Sequence, residues 1–343
     1  MLWSDKYQPE SFEGLTFHNE LNDHLYQISG KNDLPHMIFY GPDGAGKRTR
    51  VGCILVRLYG KSVLKPIKDS FSVKTPSKII EVAIRSSRFH IELSPGEAEH
   101  NDRLLLSKLI KDAASNNGLA GNGRVSFMTI VLYEAERLSL GAQAALRRIM
   151  EKYSDRIRII MVCKTIGQLI PAIKSRFLLI RVPAPKTDEI LRIITDINTK
   201  EQAQLDYNKV LKPILDICNR NSRRALLLLQ AARIHRDSIE KVLVEQWKEA
   251  IKHKIVNPCL KDQSVETLKN IRSPFFELSC NLHTIDEIVW EILKMLCNEK
   301  KDNIISKMKE ASFYADLYSK NGDNDLPVFE QFATKLMIEL SSK

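Results

Sequence analysis

In the first half of the chain, short continuous apolar runs alternate with stretches of helical spacing. Met37 to Tyr40 is such a run, ending in a glycine-rich turn, and 46–58 then reads as a helix. Residues 60–88 mix Lys-rich and Ser-rich pieces, which predicts an insertion or a long loop with short strands. Residues 88–93 read as a strand. Residues 101–114 read as an amphipathic helix through Leu104, Leu105, Leu109 and Ala113, and 116–124 as a loop by composition. Residues 127–133 form a continuous apolar strand. Ser139 can cap a helix to about Tyr153 with Leu146, Ile149, Met150 and Tyr153 on one face, opposite Arg147, Arg148, Glu151 and Lys152. Strands follow at 157–162 and 177–182. Strands alternating with helices predict a parallel sheet covered on both faces. After the stiff segment Val182-Pro183-Ala184-Pro185 the alternation stops, and the chain is helical from Thr187 onward, with a break near 238–242.

Composition narrows the class. At 343 residues the chain is long enough for two or three domains, and 43% hydrophobic residues supply buried cores. Its 14 Gly and 13 Pro exclude collagen-like or linker-rich designs. No apolar h-region opens the chain and no apolar run approaches a membrane span, so neither a secretory signal nor a membrane partner is expected. The 52 Lys and Arg against 42 Asp and Glu give +10, which fits a polyanion partner and equally a merely basic protein. The six cysteines form no CxxC pair and lie mostly in apolar segments, as buried, reduced thiols do. The eight histidines are scattered with no zinc spacing, so no protein-bound metal site is expected.

Chemistry concentrates at GPDGAGKRT: Gly41, Pro42, Asp43, Gly44, Ala45, Gly46, Lys47, Arg48 and Thr49. Lying between a strand and a helix, this segment has the context of a phosphate loop, with backbone N–H groups around phosphate oxygens and Lys47 on the β- and γ-phosphates. The pattern calls for Ser or Thr after the lysine, as a magnesium ligand, and Arg48 stands there. A strand that would end in Asp-Glu ends in Tyr133-Glu134, so the second support of the metal is missing too. Glu134 holds the place of the residue that activates water. Taken singly, Tyr133 reads as a strand-end aromatic and Glu134 as a solvated charge. Together with Arg48 they argue for nucleotide binding with poor or absent hydrolysis.

Several blocks in order carry a family resemblance: LWSDKYQPESFEGL, LPHMIFYGPDGAGKRTR, AQAALRRIMEKYSDRIRIIMVC and LIPAIKSRFLLIRVPAP. The chain resembles the small subunits of eukaryotic replication factor C, the AAA+ clamp loader, over most of 1–230. FHIELSPGEAEHNDRLLLSKLIKDAA is most similar to the subunit at the end of the spiral, whose ATPase site is degenerate. The implied fold is an α/β P-loop AAA+ module over 1–182, a small helical lid over 183–238, and an all-helical collar over 239–343 that joins subunits.

The resemblance also implies roles. Tyr7, Pro9 and the backbone near Ser4 and Thr16 would line the adenine pocket, and Arg223 would reach the nucleotide from the lid. Lys164 takes the place of a polar sensor, usually Asn. Arg176, in Lys174-Ser175-Arg176 with Phe177 where the family has Cys, would be an arginine finger that enters a neighbour's site. Arg85, Arg88, Ser139, Arg147 and Arg148 would meet DNA phosphates without reading sequence. The implied ligand is ATP or ADP, with magnesium weak or absent at this subunit's own site. The implied partners are the other subunits of a hetero-pentamer, a ring-shaped sliding clamp and primer–template DNA in the nucleus. The competing readings are a self-sufficient AAA+ ATPase remodeller, against which Arg48, Tyr133 and Lys164 argue, and a P-loop kinase, for which no acceptor pocket is visible.

Overall fold

The computed structural model describes residues 1–30, 33–74, 79–95, 101–116, 127–234, 246–280, 285–299 and 325–341. They fall into two units, Met1–Arg236 and Asp237–Lys343. In the first, seven strands make one sheet: β1 (Met37–Tyr40), β2 (Ile67–Lys74), β3 (Ile79–Ser86), β4 (His90–Leu93), β5 (Met128–Tyr133), β6 (Ile157–Cys163) and β7 (Leu178–Arg181). Their order is β2-β3-β4-β5-β6-β1-β7. From β4 to β7 all neighbours are parallel. Alternation along these strands feeds two cores. Ile130, Leu132, Ile159 and Met161 belong to one cluster, and Val131, Ile160, Val162 and Phe39 to the other. A strand buried on both faces has no polar side, which is why these runs are apolar throughout.

The region 60–88 differs from its expectation. Strands β2 and β3 are eight residues each and pair antiparallel, with Phe71 opposite Val82, and β3 pairs antiparallel with β4. The hairpin thus extends the sheet. Its period-2 signal, Phe71 and Val73 on one strand and Val82 and Ile84 on the other, is diluted by Lys and Ser on the opposite face.

Helices α1 (Asn19–Ser29), α2 (Lys47–Tyr59), α3 (Asp102–Asn116) and α4 (Leu140–Tyr153) pack on the sheet. In α3 Leu105, Leu109 and Ala113 are buried together with Leu106, Ile110 and Ala114, whereas Leu104 falls at the edge of that face and is half exposed. Helix α4 carries its expected stripe, with Leu146, Ile149 and Met150 buried. At its start the Ser139 hydroxyl accepts from the Ala142 N–H at 3.1 Å. Asp102, buried in the first turn of α3, accepts from the Ser139 N–H at 2.7 Å and from its hydroxyl at 2.8 Å.

After residue 186 the first unit is helical: α5 (Thr187–Lys200), α6 (Lys212–Ile217) and α7 (Ser222–Ile234). The second unit is helical in its described residues, with α8 (Gln246–Ile251), α9 (Val265–Cys280), α10 (Ile285–Glu299) and α11 (Asp325–Ser341). Its core gathers Ile271, Ile288 and Ile292 around a stacked Phe275–Phe329 pair at 4.0 Å. Residues 117–124 of the expected loop and the expected break at 238–242 lie outside the described residues. Cys53, Cys163, Cys218 and Cys259 are buried, as expected of most thiols, and Cys280 and Cys297 are exposed.

Candidate nucleotide site

The loop between β1 and α2 has a backbone that only glycine accepts at its critical points. Gly41 has φ +146°, and a Cβ there would lie 2.0 Å from the Val182 carbonyl oxygen. Gly44 has φ +70°, and its Cβ would lie 1.9 Å from Asn221 Oδ1. The start of α7 therefore closes directly on the loop: the Ser222 hydroxyl donates to the Gly44 carbonyl at 2.5 Å.

Two clefts meet here. The larger, about 300 Å³, contains Asp43 to Thr49 on one side and Tyr133, Glu134, Glu136, Lys164 and Arg223 on the other. The smaller, about 200 Å³, is lined by Ser4, Tyr7, Pro9 and Thr16, with Gly44, Gly46, Thr49 and Arg223 between the two. All four positions expected at the adenine are thus brought to one cleft, and Arg223 borders both. Sequence reasoning missed its apolar wall, Phe17, Ile193, Ile197 and Leu226. An apolar slot joined to a glycine-rich loop at the start of a 13-residue helix fits a purine nucleotide.

Lys47 is buried and donates to the Gly41 and Pro42 carbonyls at 2.5 and 2.8 Å; burial holds its pKa below the usual lysine range. Lys164 pairs with Asp43 at 2.8 Å, and that bond raises its pKa. Arg50, absent from the expected site, is fully buried behind the loop. It donates to Asn22 Oδ1 at 3.0 Å, the Ala45 carbonyl at 3.1 Å and the Phe17 carbonyl at 3.1 Å. It joins the loop to the wall of the smaller cleft.

The residues present do not fit a divalent cation. The Arg48 guanidinium lies 4.3 Å over the Tyr133 ring, and the Tyr133 hydroxyl donates to Glu92 at 3.2 Å. Glu134, at φ +53°, pairs with Arg137 at 3.3 Å. Glu136 accepts from the Lys164 N–H at 3.3 Å, and its other oxygen is buried without a partner in a cleft that already contains Lys47, Arg48 and Lys164. Among the described residues no three carboxylate, imidazole or thiolate groups converge on one point.

The remaining expected residues lie apart from these clefts. Arg176 donates to Glu151 through Nε at 3.1 Å and Nη2 at 2.7 Å, and Arg147 reaches the same carboxylate at 3.6 Å. Both arginines hold the Glu151 pKa below the usual range, Arg176 foremost. Arg148 is exposed. Ser139 is engaged as the helix cap described above. Arg85 borders a third cavity of about 320 Å³ with Arg48 and Tyr133, and Arg88 lies 5.7 Å from the centre of the Phe89 ring.

Known proteins extend this picture. The chain is 34% identical to replication factor C subunit 5 of Saccharomyces cerevisiae, covering 98% of each. It is 34% identical to probable replication factor C subunit 3 of Dictyostelium discoideum, again 98% of each. With replication factor C subunit 3 of Homo sapiens it shares 31% identity over 98% of this chain and 95% of that one. No family model matches. Among solved structures, a point mutant of Thermotoga maritima RuvB superimposes with TM-score 0.50 over 78% of this chain and 85% of that one, at 13% identity, a likeness of fold alone. No helix among the described residues is long and apolar enough to cross a membrane.

Proposed function

The chain belongs to the replication factor C family of AAA+ clamp-loader subunits, and on that premise we propose that it binds nucleotide in its own site without hydrolysing it productively. Its setting is a multi-subunit clamp loader of DNA replication. The observation that carries the proposal is the Arg48 guanidinium over the Tyr133 ring, a cation where a hydrolytic site holds its metal.

The chemistry follows from the side chains. The smaller cleft takes the base between Tyr7, Pro9 and the apolar wall of Ile193 and Ile197. The N-terminus of α2, Lys47 and Arg223 take the phosphates. Glu134 is tied to Arg137 and has no metal-bound water to deprotonate. ATP or ADP is therefore held without magnesium and without turnover.

Arg176 serves another site. It leaves Glu151 to enter the nucleotide site of the adjoining subunit, where its guanidinium stabilises charge on the γ-phosphate. The helical second unit joins the collar of a hetero-pentamer. The assembly opens a ring-shaped clamp and sets it on primer–template DNA in the nucleus, with Arg85, Arg88, Arg147 and Arg148 near the phosphates.

The purified chain tests this directly. Fluorescent ADP should bind equally well in EDTA and in magnesium, Lys47→Ala should abolish binding, and ATP turnover should be undetectable. Steady turnover that disappears in Lys47→Ala would establish a working ATPase instead.

A further inference from the structure

The smaller cleft has two walls that come from distant parts of the first unit. One is the N-terminal segment with Ser4, Tyr7 and Pro9, and the other is built from α5 and α7. Glu201, the residue after α5, fastens them together. Its Oε1 accepts from the Tyr7 hydroxyl at 2.6 Å and from Lys6 Nζ at 2.5 Å, and its Oε2 accepts from Arg233 near the end of α7. The fastening continues around it. Arg233 also lies over the Trp3 ring at 5.4 Å, the Trp3 N–H donates to Gln230 Oε1 at 2.9 Å, and Lys200 lies 6.0 Å from the Tyr7 ring centre.

Helix stability does not account for this carboxylate. A negative charge at a helix C-terminus faces the negative end of the macrodipole. The chain just beyond it turns through two left-handed non-glycine residues, Gln202 at φ +49° and Gln204 at φ +52°. What Glu201 gains in that unfavourable place is three donors, one of them the hydroxyl of a residue that lines the cleft.

We propose that Glu201 is the latch of this cleft: by holding Tyr7 and Lys6 against Arg233 it sets how slowly a bound purine nucleotide leaves. It is a positioning residue that acts through Tyr7, and the inference rests on the nucleotide-binding reading above. Opening the cleft for exchange requires breaking the bonds to Glu201 and separating the N-terminal segment from α7.

The test is stopped-flow release of N-methylanthraniloyl-ADP from the full chain. Glu201→Gln and Tyr7→Phe should each speed release roughly ten- to a hundredfold, the loss expected for a hydrogen bond to a charged group. The association rate should stay within about twofold. In the double variant the two effects should fall short of adding, because the bond that Tyr7→Phe removes is one of the three that Glu201→Gln weakens. Arg233→Met supplies a third arm if Glu201→Gln does not fold. A wild-type chain that binds no nucleotide sinks the nucleotide reading itself. A wild-type chain that binds, beside variants that release at its rate or whose effects simply add, overturns the latch alone.

Discussion

Replacing Arg50 by Met probes the least expected part of the site. The guanidinium is fully buried and has no carboxylate partner; it is held by neutral acceptors, and burial lowers its pKa to about 10. In Arg50→Met the Phe17 carbonyl keeps the Asn22 side-chain amide at 2.8 Å, and the Gly46 carbonyl keeps the backbone N–H of residue 50 at 3.1 Å. The Ala45 carbonyl and Asn22 Oδ1 lose the donors they have here. Each such loss costs about 1–3 kcal/mol, so the two together cost roughly 2–6 kcal/mol. Removing a desolvated charge offsets part of that, which puts the net loss at about 2–3 kcal/mol. For a unit of this size the melting temperature should fall by roughly 4–12 °C. The measurement is a thermal melt of the full chain, reading the transition that moves when ADP is added, since two units need not melt together. Arg50→Lys should recover little, because one ammonium cannot span three acceptors in a plane. A Met variant within about 0.5 kcal/mol of wild type, or a Lys variant equal to it, would refute the reasoning.

Three further outcomes are expected. Gly44→Ala should weaken nucleotide binding by tenfold or more, through left-handed strain of about 1–2 kcal/mol plus the 1.9 Å approach to Asn221. Asn221→Ser in that background should restore part of the affinity, and no recovery would show that the clash is not the cause. His36 accepts from the Ile159 N–H, and burial lowers its pKa from 6.5 to about 4, with Arg158 adding to the effect and Asp33 opposing it. Between those values the unfolded chain holds the extra proton, so stability should rise with pH from about 4 to 6.5 and fall as pH drops through that window. His36→Asn should flatten the slope in urea titrations, and an unchanged slope counts against His36. In an assembled loader, Arg176→Ala should lower ATP turnover at least a hundredfold at the site it enters, with assembly intact by gel filtration. Glu151→Gln, which frees Arg176 from its carboxylate, should not lower it; a loss equal to that of Arg176→Ala would assign the role to the pair.

Legibility in the sequence followed the range of the interactions. The phosphate loop was readable because its parts are adjacent: β1, three glycines, Lys47 and α2 occupy one segment, and Arg48 marks the departure from pattern by itself. Tyr133 was readable as the second departure because an apolar strand points to its own end. The stacking of Arg48 on Tyr133 was not, since nothing local sets that distance. Ser4, Tyr7, Pro9 and Thr16 were legible only through the resemblance, because no spacing rule places an N-terminal segment over a loop thirty residues on. Ile193, Ile197 and Leu226 look like any amphipathic helix residues until α5 and α7 are folded back. Nothing local marks Arg50 or Glu201, since a lone charge in a helix or just after one carries no signal of its own. Burial and partners drawn from across the unit decide both, and neither is a property of the local pattern.

Asp102 has an electrical consequence. The starts of α3 and α4 meet at that one carboxylate, which bonds the Ser139 N–H and hydroxyl while occupying the first turn of its own helix. Each helix start carries roughly half a positive charge, so two of them amount to about one, and one buried carboxylate faces both. Much of the positive charge of these two helix starts is therefore answered inside the protein rather than turned toward solvent. Attraction of a polyanion toward this face then falls mainly to exposed side chains, where salt can screen it. The same carboxylate ties the two helix starts together through hydrogen bonds of 2.7 and 2.8 Å, so neither start can move away without breaking them.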